Sequence, residues 1–247
     1  MAKSTASPCI RLSGSFNVRD SGGMPTADGR RLRRGLLIRS SHLGALDDDG
    51  RAALTDLGTA EVIDLRSLTE CENEGHDVLP GHIRWRSIPF DPNRLGMSGR
   101  ILTADEARSH LSAVYATYPV LDGAGRAILA VIKAIAAGRG VLVHCTAGKD
   151  RTGWAVATVL RAAGVPADHV DDDYLRSNDS IDDLRRMVAG RVPDASSIPG
   201  DYLGVRTEYL RSADEAMAAT YGDVDGYLTA IGVSRALLDE FRQQIVM

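Results

Sequence analysis

Residues 141–153 read VLVHCTAGKDRTG, and this stretch decides the fold. Its first residues are typical of a buried strand, and Arg151 and Thr152 open a helical pattern. Between the two lies a short loop that contains Gly148 and begins with a cysteine, Cys145. Backbone N–H groups of such a loop, together with a helix N-terminus, attract an oxyanion. The stretch therefore predicts a strand–loop–helix unit that binds an anion beside a cysteine.

Cys145 and Arg151 are the candidates for chemistry in this loop. The positive end of a helix favours thiolate over thiol, and the thiolate is the nucleophilic form. The planar guanidinium of Arg151 can bind two phosphoryl oxygens, which the point charge of a lysine cannot do. An ordinary surface arginine would be unfavourable at this end of the helix dipole, so a bound anion explains it better. We expect the anion site to be lined by Thr146, Ala147, Gly148, Lys149, Asp150 and Arg151.

Two flanking residues have supporting roles in this interpretation. A threonine at a helix start is typical of an N-cap, and the hydroxyl of Thr152 can also steady a leaving thiolate when a phosphocysteine is hydrolysed. His144 is expected to orient the loop by hydrogen bonding and to help keep the cysteine anionic.

The spacing of Cys145, Arg151 and Thr152 resembles the signature loop of the cysteine-dependent protein tyrosine phosphatases. The interior AGKDRT is similar to an atypical bacterial branch of that family. Further segments resemble the branch in the same order, at 17–20, 36–41, 64–67, 173–178 and 204–210. The resemblance covers most of the chain, and it implies hydrolysis of phosphate monoesters through a phosphocysteine. No cofactor and no metal are expected, because the loop itself supplies the positive charge.

Dephosphorylation also needs a general acid for the leaving oxygen. Many tyrosine phosphatases take it from a Trp-Pro-Asp loop, and this sequence has no such tripeptide. Asp91, in the segment IPFDP after a predicted strand, is the slightly preferred candidate, because a relative in the branch has an aspartate in roughly that place. Asp150, inside the loop, is the alternative, either as acid or as a helix N-cap carboxylate.

Lys149 has two interpretations. It is either a solvated loop cation or, since its place resembles that of a lysine in phosphoinositide phosphatases, a contact for an additional ring phosphate. A further set of charged residues is interpreted as salt-bridge partners that brace the loop. These residues are Arg19, Asp20, Arg66 and Glu70.

The pattern of the whole chain predicts an α/β fold, with a central, mostly parallel sheet flanked by helices. Strands are predicted at 36–40, 61–66, 83–89 and 141–144. Helices are predicted at 47–57, 104–118, 125–137, 152–163, 166–176, 181–189, 201–221 and 234–245. The cysteine then follows a central strand at its carboxyl end, where ligands of open α/β sheets bind. We expect one phosphatase domain over 1–247, with residues 165–222 as a helical lid and 191–200 as a flexible segment.

Composition narrows the function classes. A net charge of −4 with no long basic stripe argues against nucleic acid as a partner. The cluster Arg30–Arg34 is interpreted as a solvated turn, with a lipid-surface patch near the site as the alternative. The N-terminus lacks an apolar signal region and the apolar run 127–137 is too short to span a bilayer. We therefore expect a cytoplasmic protein without an integral membrane segment, and export by a non-classical route is the alternative.

Cys9, Cys71 and Cys145 show no Cys-x-x-Cys spacing, which favours a reducing compartment and no zinc site. Cys9 and Cys71 are interpreted as structural thiols, and a protective disulfide with Cys145 is the alternative.

The expected substrates are phosphorylated proteins, with phosphotyrosine first, and then phosphoserine, phosphothreonine and phosphoinositides. The competing functions are a phospho-ligand-binding pseudophosphatase and a rhodanese-like sulfur transferase. Intact Cys145, Arg151 and Thr152 argue against both. The oligomeric state is left open.

Overall fold

The structure is a computed structural model that describes residues 10–91, 103–189 and 198–247. Five described strands form one sheet in the order β1-β2-β5-β3-β4. The strands are β1 (Arg19–Asp20), β2 (Leu37–Ser40), β3 (Thr59–Asp64), β4 (Arg84–Ser87) and β5 (Gly140–His144). Strands β2, β5, β3 and β4 run parallel, and β1 is antiparallel to β2. The predicted mostly parallel sheet is confirmed, and β5 is its middle strand.

Helices cover both faces of this sheet. They are α1 (Asp48–Asp56), α2 (Leu68–Glu74), α3 (Ala104–Thr117), α4 (Asp122–Ala136), α5 (Arg151–Ala162), α6 (Ala167–Leu175), α7 (Ile181–Ala189), α8 (Gly200–Leu203), α9 (Thr207–Tyr221), α10 (Val224–Ala230) and α11 (Arg235–Ile245). None of these helices is long and apolar enough to cross a membrane, as far as the described residues go. Helices α2 and α10 were not predicted.

The helix predicted over 201–221 is wrong as one element. It is divided into α8 and α9 at residues 204–206. The backbone of Val205 exchanges two hydrogen bonds with the side chain of Asn178, at 2.7 and 3.1 Å. Because the N–H and C=O of Val205 bind a side chain, they are not available for the hydrogen bonds of a continuous helix. Most of the predicted flexible segment, residues 191–197, lies outside the described residues.

The buried run of β5 packs on both faces of the sheet. Val141 and Val143 join the larger core under α4 and α5, whereas Leu142 points to the smaller core with Leu54 of α1. All four side chains are at most 1% exposed. A parallel strand covered on both faces is apolar at every position, which explains why this run carries no polar alternation.

The carboxyl ends of the parallel strands meet at one edge. Ser40 and Asp64 both pair in register with His144, so the residues that follow these three strands emerge side by side. Cys145 is among them. The basic cluster 30–34 instead precedes β2 and therefore lies at the opposite, amino edge. The suggested position of this cluster near the cysteine is wrong, because the length of β2 separates it from the carboxyl edge where Cys145 lies.

Candidate active site

Residues 145–151, here called the cysteine loop, turn their carbonyl oxygens away from the loop centre. The oxygen of Thr146 accepts from the His42 N–H at 3.0 Å. The Asn17 amide donates to the oxygens of Ala147 and Gly148 at 3.2 and 3.0 Å. Asn17 has a positive φ of 56°, which an asparagine tolerates better than most residues and which brings its amide under the loop. The carbonyl oxygens of three successive residues, 146–148, are thus held by groups that do not belong to the cysteine loop.

The backbone N–H groups of the same loop are its second feature. No hydrogen bond within the described residues engages the N–H groups of residues 146–151. Six successive donors are thus left at the start of α5, and the N-terminus of this helix adds its positive end. The predicted anion site therefore corresponds to a cradle of backbone donors in the described structure.

Gly148 is the residue on which this conformation depends. Its φ is +67°, and a Cβ atom here would lie 2.1 Å from the carbonyl oxygen of Ser40. The loop therefore runs directly against the end of β2, and any larger residue would push it away. The Gly148 oxygen also accepts from Arg39 of β2 at 2.6 Å.

Arg151 is gripped by Glu70 of α2. Nη1 donates to Oε2 of Glu70 at 2.7 Å and to the Leu65 oxygen at 3.2 Å, and Nη2 donates to Oε1 of Glu70. Thr146 donates to the same Oε1 at 2.6 Å. Burial works against the charge of this carboxyl, but the ion pair with Arg151 lowers the pKa of Glu70 to about 2. These bonds leave the edge formed by Nε and Nη2 for a phosphoryl group.

Glu70 reaches this position through a capping box. Ser67, the N-cap of α2, accepts from the Glu70 N–H, and the Glu70 carboxylate accepts from the Ser67 N–H at 2.8 Å. The Glu70 carboxylate thus caps the N-terminus of α2, binds Arg151 and accepts a hydrogen bond from Thr146. Glu70, which was expected in a salt bridge that braces the loop, forms an ion pair with Arg151 at the end of the cysteine loop.

Arg66 braces the ends of the strands rather than the loop itself. It is fully buried between Asp64 and Asp77, at 2.9 and 2.8 Å. Asp77 also bonds Nε2 of His144 at 2.8 Å, and Nδ1 of His144 lies 3.2 Å from the Cys145 oxygen. Burial opposes protonation of this imidazole, but Asp77 outweighs it and raises the pKa of His144.

Asp64, Asp77 and His144 are close enough to hold a metal ion. The guanidinium of Arg66 already bridges the two carboxylates, so the cluster is balanced by a protein cation. We interpret it as an ion-pair network that fixes the direction of His144.

Arg19 belongs to a second buried network, whose other members were not among the predicted site residues. Arg19 and Arg39 both bind the carboxylate of Asp173, at 2.8 and 3.1 Å, and both contact the Ser177 hydroxyl at 3.2 Å. Burial and the neighbouring charge of Arg39 lower the pKa of Arg19 to about 10. Arg39 could have been identified because it is a charged residue in a predicted strand of the central sheet, and such a residue needs a partner when the strand is buried, as it is here.

Asp20 was expected as a salt-bridge partner, and this is wrong within the described structure. Its carboxylate accepts from the N–H groups of Gly22 and Gly35, at 2.8 and 2.9 Å. Asp20 therefore ties together the turns on either side of the β1–β2 pair. Backbone donors satisfy it because the chain reverses twice around it.

Lys149 and Asp150 form a pair at the rim of the cysteine loop. The lysine Nζ lies 2.8 and 3.0 Å from the two carboxylate oxygens, and it donates to the Gly204 oxygen at 3.3 Å. Tyr115 donates to Asp150 Oδ1 at 3.0 Å. Lys149 is only 7% exposed, so it is not a solvated loop cation. Tyr115 was missed because a tyrosine in an amphipathic helix carries no signal beyond its apolar ring.

Asp150 does occupy the N-cap position of α5, but its side chain makes no capping hydrogen bond. The predicted N-cap roles are therefore wrong for Asp150 and for Thr152, which is the second residue of the helix. Thr152 is fully buried, and its hydroxyl has no partner among the described residues. A buried hydroxyl without a partner is uncommon. The Thr152 hydroxyl is therefore a candidate donor to a charged group that exists only during a reaction.

Asp91 follows β4 at the same edge of the sheet, and its side chain is exposed. Phe90, the residue before it, is buried against Tyr118 and Trp154, with ring-centroid distances of 5.6 and 6.1 Å. Strand β3 lies between β4 and β5. Two strand spacings of about 4.8 Å therefore separate the strands that carry Asp91 and Cys145.

Cys145 is 3% exposed at the base of the cradle. Cys71 is a free, buried thiol whose Sγ lies 3.6 Å from Asp64. Burial first, and then the charge of Asp64, raise the pKa of Cys71 to about 11. Such a thiol is unreactive, which supports the structural interpretation, and Cys9 lies outside the described residues.

Comparisons with known proteins show which family this chain resembles. The sequence profile of the tyrosine phosphatase family matches residues 10–247. The triple specificity protein phosphatase PtpB of Mycobacterium tuberculosis is 36% identical over 94% of this chain and 96% of that protein. A tyrosine-protein phosphatase of Nostoc commune is 29% identical over 84% of this chain and 73% of that protein. The crystal structure of P. aeruginosa TpbA is 18% identical and matches 93% of this chain and 99% of that protein, with a TM-score of 0.38.

Proposed function

The chain belongs to the tyrosine phosphatase family, and we propose that it hydrolyses phosphate monoesters with Cys145 as the nucleophile and Arg151 as the phosphate clamp. One observation carries the assignment of these roles. In the loop that begins with this cysteine, six backbone N–H groups have no hydrogen-bond partner among the described residues, and Glu70 leaves one edge of Arg151 unused. Such preorganised donors stabilise the charge that develops on the phosphoryl oxygens.

The reaction proceeds in two balanced steps. The Cys145 thiolate forms a bond to phosphorus, and the bond from phosphorus to the leaving oxygen breaks while that oxygen takes a proton from the general acid. Water then attacks the phosphocysteine, its proton returns to the acid, and the thiolate departs. The partnerless hydroxyl of Thr152 is available to donate to that thiolate.

We propose Asp150, rather than Asp91, as the general acid. Asp150 belongs to the cysteine loop itself, and its carboxylate is held in place by Lys149 and Tyr115. Asp91 is exposed and starts from a strand that is not adjacent to β5. A fixed carboxylate next to the clamp is better placed for a directed proton transfer than one on a more distant strand.

Within the predicted lid, we propose that α8 covers the cysteine loop. Asp201 of α8 binds Arg108 of α3 at 3.0 Å, and Gly204 at its end accepts from Lys149. Tyr202 of the same helix is half-exposed, and burial together with the charge of Asp150 raises its pKa, which supports a position near this loop. Residues 167–180, in contrast, contribute the buried Asp173 and Ser177 and act as scaffold.

The proposed substrates are phosphotyrosine proteins first, with phosphoserine, phosphothreonine and phosphoinositides as further candidates. The mycobacterial relative is named a triple specificity protein phosphatase, which supports testing more than one kind of phosphorylated substrate. An aromatic rim residue such as Tyr202 suits the ring of phosphotyrosine.

The test of the nucleophile is turnover of 4-nitrophenyl phosphate with EDTA present. Wild-type protein should turn over, and Cys145→Ser should not, while the variant still binds phosphotyrosine peptide because the donors of the loop remain. Cys71→Ser is the matched control and should keep its activity. Turnover by Cys145→Ser, or a requirement for added metal, would refute the proposal.

The test of the acid compares Asp150→Asn with Asp91→Asn. Loss of the acid should cost about 10²–10⁴ in kcat with phenyl phosphate, a poor leaving group, and much less with 2,4-dinitrophenyl phosphate. Only Asp150→Asn should show this dependence. The reverse result would return the role to Asp91.

A further inference from the structure

The carboxylate of Asp150 ends a chain of two buried tyrosine hydroxyls. Tyr115 of α3 donates to Oδ1 at 3.0 Å, and the hydroxyls of Tyr115 and Tyr174 of α6 are 2.7 Å apart. Both tyrosines are fully buried. Because the single hydroxyl hydrogen of Tyr115 goes to the carboxylate, the hydrogen between the two tyrosines comes from Tyr174. The chain therefore has one direction, from α6 through α3 to the cysteine loop.

The two oxygens of this carboxylate are bound unequally. Oδ1 accepts hydrogen bonds from Tyr115 and from Lys149, both at 3.0 Å, whereas Oδ2 lies 2.8 Å from the Lys149 Nζ in an ion pair and accepts no hydrogen bond among the described residues. A carboxylate oxygen has two lone-pair positions. Oδ1 thus has both positions filled, and Oδ2 keeps a position that a transferable proton can occupy.

The tyrosines themselves are poor proton sources. Burial first, and then the charge of Asp150, raise the pKa of Tyr115 and of Tyr174 well above the usual value. They therefore stay protonated throughout the neutral range and act as fixed donors. Their effect on the reaction has to pass through the orientation of Asp150.

We propose that Tyr115, supported by Tyr174, is a positioning residue for protonation of the leaving group. It fills Oδ1, and so it makes Oδ2 of Asp150 the oxygen that carries the proton to the substrate. This inference rests on the proposed function, in which Asp150 is the general acid. A helix outside the cysteine loop thereby fixes which oxygen of the acid reacts.

The test is Tyr115→Phe, which removes one oxygen from the aromatic cluster and leaves its packing intact. Turnover should be measured with a series of aryl phosphates from phenyl to 2,4-dinitrophenyl phosphate. With a misplaced acid, kcat should fall about 10- to 100-fold for the poorest leaving group and much less for the best. The dependence of rate on leaving-group pKa should therefore steepen, and the basic limb of the pH–rate profile should flatten.

Tyr118→Phe is the matched control. Tyr118 is 1% exposed and its ring lies 4.8 Å from that of Tyr115, but its hydroxyl donates no bond to Asp150 in the described structure. It should keep the wild-type leaving-group dependence. Tyr174→Phe leaves Tyr115 in place without its support, and we expect the same dependence with a smaller loss. This second variant keeps the test available if Tyr115→Phe unfolds.

The outcomes separate the two proposals. If Tyr115→Phe and Tyr174→Phe lose activity equally with all leaving groups, or behave like Tyr118→Phe, the positioning role is overturned while Asp150 stays the acid. If Asp150→Asn itself shows no leaving-group dependence, the acid assignment fails and the positioning role fails with it. A steeper dependence in the two tyrosine variants and not in the control supports the inference.

Discussion

Glu70 binds the Nη1–Nη2 edge of Arg151 and leaves the Nε–Nη2 edge unused in the described structure. These residues are 81 positions apart in the chain and lie on α2 and at the start of α5. The proposed phosphate clamp is thus oriented by a helix that, in the described structure, supplies none of the backbone donors of the cysteine loop.

Glu70→Gln should weaken this orientation. The amide can replace one hydrogen bond but not the charged bidentate pair, so we expect kcat/KM for aryl phosphates to fall about 10- to 100-fold. The affinity for vanadate should fall with it. Glu72→Gln, on the exposed side of the same helix, is the control and should behave as wild type. Normal vanadate affinity in Glu70→Gln would mean that Arg151 needs no external support.

Gly148→Ala should disable the cysteine loop through a backbone clash. The new Cβ would lie 2.1 Å from the Ser40 oxygen, so either the loop or the end of β2 must move. Gly164→Ala is a close control, because Gly164 has a φ of +85° but open space around it. Gly164→Ala should lower the free energy of unfolding by only about 1 kcal/mol, the cost of an alanine with a positive φ, and should keep its activity. Equal turnover by the two variants would show that the contact with Ser40 is unimportant.

Asp173→Asn should destabilise the fold. It leaves the guanidiniums of Arg19 and Arg39 buried without their shared carboxylate. Breaking such a buried arrangement typically costs about 3–5 kcal/mol. Urea denaturation measures the change, with the neighbouring exposed Asp172→Asn as control. A midpoint shift no larger than that of the control would mean that the two arginines are satisfied by their backbone and hydroxyl acceptors alone.

The Asp77–His144 pair should make stability depend on pH in a defined window. The raised pKa of His144 contributes stability at pH values below its unfolded pKa of about 6.5, and this is lost as pH rises through the folded value. The lowered pKa of Asp77 contributes above its unfolded pKa of about 3.9, and this is lost as pH falls through the folded value. The combined contribution is therefore largest between about pH 4 and 6.5.

Thermal unfolding of wild type and Asp77→Asn across pH 3 to 9 measures this contribution. The difference in Tm should be greatest inside the window and smaller on both sides of it. Asp56→Asn, an exposed carboxyl on α1, controls for the general loss of one charge. A difference that stays constant with pH would contradict the ion pair.

The cysteine loop and its strand could be predicted from the sequence because their information is local. Successive apolar residues define β5, and the spacing from Cys145 to Arg151 defines the loop. The partners of these residues could not be assigned in the same way. The pairing of Glu70 with Arg151, and the sharing of Asp173 by two arginines, depend on how distant segments pack. Charge alone does not specify a partner, as the backbone contacts of Asp20 illustrate.

Two other errors had a local cause that the sequence conceals. The break between α8 and α9 arises from the side chain of Asn178, which competes for the backbone of Val205. Helix propensity summed over residues 201–221 does not contain that interaction. The hydroxyl of Tyr115 is likewise invisible to a hydrophobic pattern, which records only the buried ring.

Lys149→Ala tests whether the lysine contacts an additional phosphate of the substrate or holds the cysteine loop in place. Its Nζ is bound by both oxygens of Asp150 and by the Gly204 oxygen, so a second substrate phosphate would have to displace these groups. We therefore expect the variant to lower kcat/KM for a phosphotyrosine peptide and for a phosphoinositide by the same factor, because both substrates use the same acid. Exposed Lys133→Ala on α4 is the control for loss of a lysine and should leave both rates unchanged. A loss confined to the phosphoinositide would instead assign Lys149 to an additional ring phosphate, since only that substrate presents one.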